Sequence, residues 1–260
     1  MKLFDATLDL ARFVGQVFRS TATGGSTTSL VDTNMPESDG FYDNVTVWIL
    51  SGSSAGNYRK IKKHVSKQLS FDALGTAISA GVIYAVADKT FPLHALKEAV
   101  NQSLAYFLVP KYDESLVVDT SVDTYTLPTG VSNVLKVEVA CNDTAPYVYE
   151  TNYWWREING KLEIRDGIFL DDNAKKIRLT YAAYHGEIDD STDIDVNVQP
   201  EYIRYAGAVW LWRNYIQQTE ADSLIAKEMF NEAKMLEVEA RLKAKDWSRL
   251  PSRTTLLPDL

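Results

Sequence analysis

Five carboxylates, Glu187, Asp189, Asp190, Asp193 and Asp195, fall within nine residues of one another. Oxygen donors at this density are the ligands that calcium takes, but the segment has neither the glycine nor the closing glutamate that an EF-hand loop requires. Paired glycosidase acids are no better supported, because proximity along a loop does not set a carboxylate gap across a sugar ring. The segment therefore reads as an acidic loop, and no metal is expected there.

Nucleophilic catalysis fares no better. The three histidines, His64, His94 and His185, fall in an expected strand, a helix and a strand end, and no Gly-x-Ser-x-Gly elbow accompanies them. Thr23-Gly24-Gly25-Ser26-Thr27-Thr28 is glycine-rich but lacks the lysine of a phosphate-binding loop, so it is expected to be a flexible joint. Tyr147, Tyr149, Tyr153, Trp154 and Trp155 form an aromatic cluster that can stack on sugars or bases, although aromatics in strands more commonly serve core or interface. No catalytic residue and no cofactor are expected, and the chain is read as a non-enzyme.

Composition narrows the class further. With 260 residues, 45% of them hydrophobic, the chain is long enough for one large domain or two modest ones. A net charge of −8 disfavours tight binding to nucleic acid, while leaving open a surface past which a duplex slides. One cysteine, Cys141, excludes an internal disulfide and is expected to be a small buried hydrophobe. Asp5 and Asp9 interrupt the N-terminal segment, so neither a signal peptide nor a membrane span is expected.

The positioning elements follow from periodicity. Leu10, Phe13, Val14, Val17 and Phe18 place a helix over Asp5 to Phe18. Strand-like runs then follow at Val45–Leu50, Tyr58–Val65, Gln68–Leu74 and Val82–Val86, with Gly52–Asn57 as a hairpin linker. Helix returns with Thr90 as N-cap, a stripe of Leu93, Leu96, Val100, Leu104 and Phe107, and Pro110 as terminator. Five or six antiparallel strands are expected next, at Glu114–Thr120, Thr124–Leu127, Val131–Ala140, Tyr147–Tyr149, Lys161–Ile164 and Ile177–Tyr184, with Asn159-Gly160 as a tight turn.

Pro200 opens a further helix in which Trp210 and Trp212, two apart, cannot share a face. A last helix restarts near the Thr219-Glu220-Ala221-Asp222 capping box and carries a narrow stripe of Ile225, Met229, Ala233, Leu236, Ala240 and Ala244. Beyond it, Ser248–Leu260 holds two prolines and four leucines. Prolines forbid helix and leucines resist solvation, so this tail is read first as an arm that orders on another protein, the alternative being a tail folded back on its own domain or simply frayed.

The expected fold is α+β. It comprises a helix at 1–19, a small β-insert at 20–90, a helix at 91–110, an antiparallel β-domain at 111–199, two helices at 200–247 and an extended arm at 248–260, with the four helices closing into one bundle.

This order resembles the head-to-tail adaptor (connector) proteins of tailed bacteriophages, the tail-tubular-A-like family. Three passages carry the resemblance: Thr23–Asp32 with Trp48-Ile49-Leu50-Ser51-Gly52 and Gly56-Asn57-Tyr58-Arg59-Lys60-Ile61; Leu127-Pro128 through Val139 with Ile158–Leu162; and Pro200-Glu201-Tyr202-Ile203-Arg204-Tyr205 with the helices and tail that follow. The long insert between the first two helices departs from the shorter adaptors. The resemblance implies a virion protein of the neck between capsid and tail, assembled in the host cytoplasm as a homo-oligomeric ring, commonly dodecameric. Such a ring binds the portal above and a tail or nozzle protein below, and conducts double-stranded DNA during genome ejection without reading its sequence. It further implies portal contacts at Arg253, Leu256, Leu257 and Leu260 and a lumen-facing position for the acidic loop Glu187–Asp195. The alternative reading is a carbohydrate-binding virion or secreted module that uses Tyr153–Trp155.

Overall fold

A computed structural model of the chain describes residues 1–87, 89–142, 144–164, 175–219 and 224–243. These residues form a mixed α+β protein with four helices and antiparallel sheets. They divide into two compact units, one from Met1–Tyr106 with the described part of Gly186–Ala244, the other from Phe107–His185.

The first unit opens with α1 (Leu3–Val14), which ends at the extended Gly15. The helix expected to run on to Phe18 stops short. Val17 and Phe18 instead begin β1 (Val17–Thr21) and pair with Ala87 and Val86 of β7 (Ile83–Ala87). The helical spacing persists past Gly15, but strand-preferring residues are captured there by an available sheet edge.

Between them lie β2 (Gly24–Gly25), β3 (Ser29–Val31), β4 (Thr46–Ile49), β5 (Tyr58–Val65) and β6 (Gln68–Phe71). The seven strands make one sheet in the order β1-β7-β4-β5-β6-β3-β2. The expected hairpin across Gly52–Asn57 is present, with Trp48 opposite Tyr58. The glycine-rich segment is no joint. Gly24 and Gly25 pair with Val31 and Leu30, and a Cβ on Gly25 would stand 2.5 Å from the Ser29 carbonyl oxygen. Glycine is used there for close backbone approach. The core of this module is built from Leu30, Val47, Ile49, Ile61, Leu69 and Tyr84, with other buried neighbours.

The second helix, α2 (Leu93–Ala105), starts three residues beyond Thr90, with Pro92 at its N-cap and no side-chain cap. It ends before Phe107. Two helices complete the unit, α3 (Pro200–Thr219) and α4 (Leu224–Lys243). α3 packs on α1, α2 and α4, and α1 also meets α2.

The stripe of α4 agrees with expectation at Ala233 and Ala240, which are buried, and at Met229 and Leu236, which are half-buried, but departs from it at its start. Its buried residues are Ala226, Ala233 and Ala240, whereas Ile225 is 70% exposed. Alanines seven apart let two helices approach closely along one seam.

The second unit contains β8 (Leu108–Val117), β9 (Thr124–Thr126), β10 (Val134–Ala140), β11 (Tyr149–Asn152), β12 (Trp155–Ile158), β13 (Lys161–Ile164) and β14 (Lys176–Tyr184). A four-stranded sheet in the order β11-β10-β14-β8 and a three-stranded sheet in the order β12-β13-β9 share one core of Val134, Val137, Leu162, Ile164, Ile177 and Leu179 among others. Pro110 is not the terminator of α2, which ends at Ala105. It sits opposite Ala182 in β8, an edge strand, where the missing amide leaves no inner ladder bond unmade. Asn159 and Gly160 both have positive φ (52° and 73°) and link Ile158 to Lys161, the primed two-residue turn that Asn-Gly favours.

Candidate functional site

The acidic segment between β14 and α3 is an ordered loop within the first unit. Ile188, Ile194 and Val198 are buried and anchor it. The Ile194 amide donates to the Met1 carbonyl, and Asn101 of α2 both donates to and accepts from the Ile188 backbone.

Its carboxylates then divide by role. Asp189 accepts hydrogen bonds from the Ser191 and Thr192 hydroxyls and amides, which hold its carboxyl down at about 2. Asp190 accepts from the Tyr58 hydroxyl and pairs with Lys97 at 3.0 Å. Burial opposes its ionisation, but those two donors prevail and its pKa lies below the ordinary value. Asp195 accepts from the Asn197 amide and side chain. Glu187 and Asp193 stand exposed, and Val196 projects from the same loop with 93% of its surface in solvent. Three of the five carboxylates thus fix the shape of the loop. Among the described residues, no group of three or more His, Cys, Asp or Glu side chains is placed to hold a metal ion.

A concave site of about 310 Å³ lies among the other helices of this unit. α2 and its C-cap contribute Gln102, Ser103 and Tyr106; α3 contributes Tyr202, Ala206, Val209, Trp210 and Arg213; α4 contributes Glu237 and Arg241. Trp210 also borders a second cavity of about 330 Å³, with Phe91, Tyr215 and Asn214. Trp212 faces elsewhere: it is buried, edge-on to Phe91 at 5.0 Å. The two tryptophans serve different faces of α3, as their spacing requires.

The aromatic cluster is split as well. Trp155 lies in the core of the second unit, whereas Tyr153 and Trp154 are 60% and 51% exposed. Tyr149 lies under the Arg178 guanidinium, 3.7 Å from the ring centre. Cys141, expected to be buried, is exposed. It follows β10 in a turn, where its backbone amide donates to the Val148 carbonyl and its side chain is left outside the core. Arg253, Leu256, Leu257 and Leu260 lie outside the described residues, as does most of the expected capping box.

Two buried polar groups escaped sequence reasoning. Asp32, wholly buried, accepts from Ser20 Oγ at 2.6 Å, Tyr84 Oη at 2.7 Å and the Asn34 amide at 2.8 Å. Burial raises its pKa, yet these donors and the Lys67 charge together hold it below the ordinary carboxylate value. His64, also wholly buried, packs its ring on Tyr42 at 5.2 Å, and neither ring nitrogen has a hydrogen-bond partner among the described residues. A bulge between Ile61 and Lys63 turns His64 inward. No local pattern announces either residue. Both are defined by contacts with distant strands.

Comparison with protein-family models and with curated proteins finds no match to this chain. Among the described residues, no helix is long and apolar enough to cross a membrane.

Proposed function

We propose that this chain is a structural head-to-tail adaptor: a ring subunit whose four helices form the hub, which joins a portal to a tail or nozzle and lets double-stranded DNA pass without sequence recognition. The observation that carries this reading is the surface of α4. Leu224, Ile225, Met235, Val238 and Leu242 are all more than half exposed, apolar area that an isolated subunit leaves in water and a neighbouring copy covers. The net charge of −8 suits a wall that does not hold DNA. The resemblance of the three sequence passages supplies the class of assembly. On this reading the 248–260 arm, with Arg253, Leu256, Leu257 and Leu260, docks on the portal, and the acidic loop lies at or near the channel.

The test is electron microscopy of the purified protein mixed with its portal. A ring of defined symmetry on the portal is expected, and loss of co-sedimentation on deleting 248–260 while the chain stays folded. Co-sedimentation that survives the deletion removes the arm from the reading, and absence of any ring removes the adaptor.

A second reading rests on Tyr153 and Trp154, adjacent and exposed between β11 and β12. Such a pair suits stacking on a sugar. A glycan array compared between the native chain and a Trp154→Ala variant decides it, and no glycan signal ends it.

A further inference from the structure

We infer that subunits join head to tail by seating the Val196 tip of one copy's acidic loop in the arginine-rimmed aromatic pocket between α2, α3 and α4 of the next copy. The inference rests on the ring reading and assigns the surfaces that would close it.

The pocket has the character of a receptor. Its lining is partly apolar and aromatic, with Val209 and Tyr202 buried, Trp210 half-buried and Tyr106 exposed at its edge, and its volume is about 310 Å³. Arg213 and Arg241 stand on its walls, and neither has an ion-pair or hydrogen-bond partner among the described residues. Among the described residues, Glu237 is the sole carboxylate that lines it. On a chain of net charge −8, this is a locally positive hollow with an apolar base. Arginine and tryptophan or tyrosine in a concave setting are the side chains that most often dominate an interface.

The loop has the matching character. Val196 is the most exposed of the large hydrophobic residues, and Asp193 and Asp195 precede it by three positions and one. An apolar knob beside carboxylates complements an apolar hollow beside guanidiniums, in both burial and charge. The loop is also held in shape before any partner arrives, by its buried isoleucines, by the Met1 and Asn101 contacts and by the Asp189 and Asp195 turns. A preorganised knob loses little conformational entropy on docking.

The two surfaces lie on different flanks of one helix. Both are tied to α2, whose buried stripe is Leu96, Ala99, Val100, Ser103 and Leu104. Lys97 and Asn101 hold the loop on one flank of that stripe, and Gln102 borders the pocket on the other, roughly 120° apart around a helix that turns about 100° per residue. A contact between two different surfaces on opposite flanks is heterologous, and repetition of such a contact gives a ring when the rotation per copy closes.

Disulfide trapping in the full chain tests this directly. Cys141→Ser removes the exposed native thiol, and Val196→Cys and Gln102→Cys then place one thiol on the knob and one at the pocket. Under mild oxidation the double variant is expected to give a ladder of dimers, trimers and higher multimers. An equimolar mixture of the two single variants is expected to give heterodimers that extend no further, since each copy retains one competent half. Arg213→Glu with Arg241→Glu should lower the trapped yield at least tenfold, and adding Asp193→Lys, which leaves the Asp189 and Asp195 turns intact, should restore part of it.

If the native chain forms rings but the thiols introduced by Val196→Cys and Gln102→Cys do not cross-link, the interface is wrong and the ring reading survives. Specific cross-linking without rings on the portal leaves the interface and removes the adaptor. A chain that neither assembles nor cross-links overturns both.

Discussion

Arg204 of α3 grips Asp9 of α1 with two hydrogen bonds, Nε to Oδ2 at 2.7 Å and Nη2 to Oδ1 at 3.0 Å, across 195 residues of sequence. Both side chains are about one-third exposed (29% and 33%), so solvent screens part of the attraction. The paired geometry makes it stronger than a loose surface contact. Arg204→Ala is expected to destabilise the fold by about 1 kcal/mol, measured as a shift in urea midpoint without a change in slope. Arg204→Lys should recover little, because an ammonium lacks the planar fork. A double-mutant cycle with Asp9→Ala should show coupling that shrinks with added salt, and strict additivity would refute it.

Three residues further along α3, Gly207 lies where α1 and α2 crowd the helix. A Cβ built there would meet Leu10 Cδ2 at 3.0 Å and lie 3.6 Å from the Ala99 carbonyl. Gly207→Ala sets better helix propensity against a small push on a flexible leucine, and its net effect should stay within about 1 kcal/mol. Gly207→Leu has no such relief and should cost about 3 kcal/mol by overpacking. Thermal denaturation of the two variants checks the contrast, and equal losses would mean that the helices part freely.

What the sequence reveals differs from position to position. β5 and β6 were legible because Tyr58–Val65 and Gln68–Phe71 are strand-preferring runs joined by a short turn, a local property. The Asn159-Gly160 turn was legible for the same reason. The end of α1 was not, since the helical spacing of Val17 and Phe18 persists across Gly15 and only the partner strand β7 reveals their pairing. The seam of α4 was legible at Ala233 and Ala240 but not at its start, where Ala226 is buried in place of the bulkier Ile225. In the acidic loop, composition marked the place; the turns of Asp189 and Asp195 are local, made with Ser191, Thr192 and Asn197, but the role of Asp190 depends on Tyr58 and Lys97, far away in sequence.

Asp32 and Tyr84 are a further pair that only the fold brings together. Their hydrogen bond joins residues 52 apart and is buried. Asp32→Asn keeps the shape but turns amide hydrogens toward donors, so a loss of about 2 kcal/mol or more is expected. The pH dependence has a definite sign. Since the folded pKa lies below the ordinary value, the charged carboxylate contributes stability that is fully present above the unfolded pKa, about 3.9. That contribution is lost as pH falls through the folded pKa. The native chain should therefore weaken more steeply than Asp32→Asn below about pH 4. Parallel acid titrations by circular dichroism check it, and curves of equal steepness would show that Asp32 does not titrate with unfolding.

His64, in the same module, also loses stability on acidification, but because its charged form is the disfavoured one. Burial disfavours its imidazolium and lowers its pKa, even though Asp39, Asp43 and Glu37 favour the charge; Lys67 adds to the lowering. Its ring nitrogens find no partner among the described residues. Below the unfolded pKa of about 6.5 the unfolded chain binds a proton that the folded chain refuses, so stability falls with acidification down to the folded pKa. One proton allows a slope of at most about 1.4 kcal/mol per pH unit. His64→Phe keeps an aromatic ring against Tyr42 and removes both the proton and the orphaned nitrogens. It is expected to leave the pH 8 stability equal or higher and to flatten the decline between about pH 6.5 and 5. Urea unfolding at about pH 8, 6.5 and 5 measures this, and a decline as steep in the variant as in the native chain would assign the acid sensitivity to the surrounding carboxylates instead.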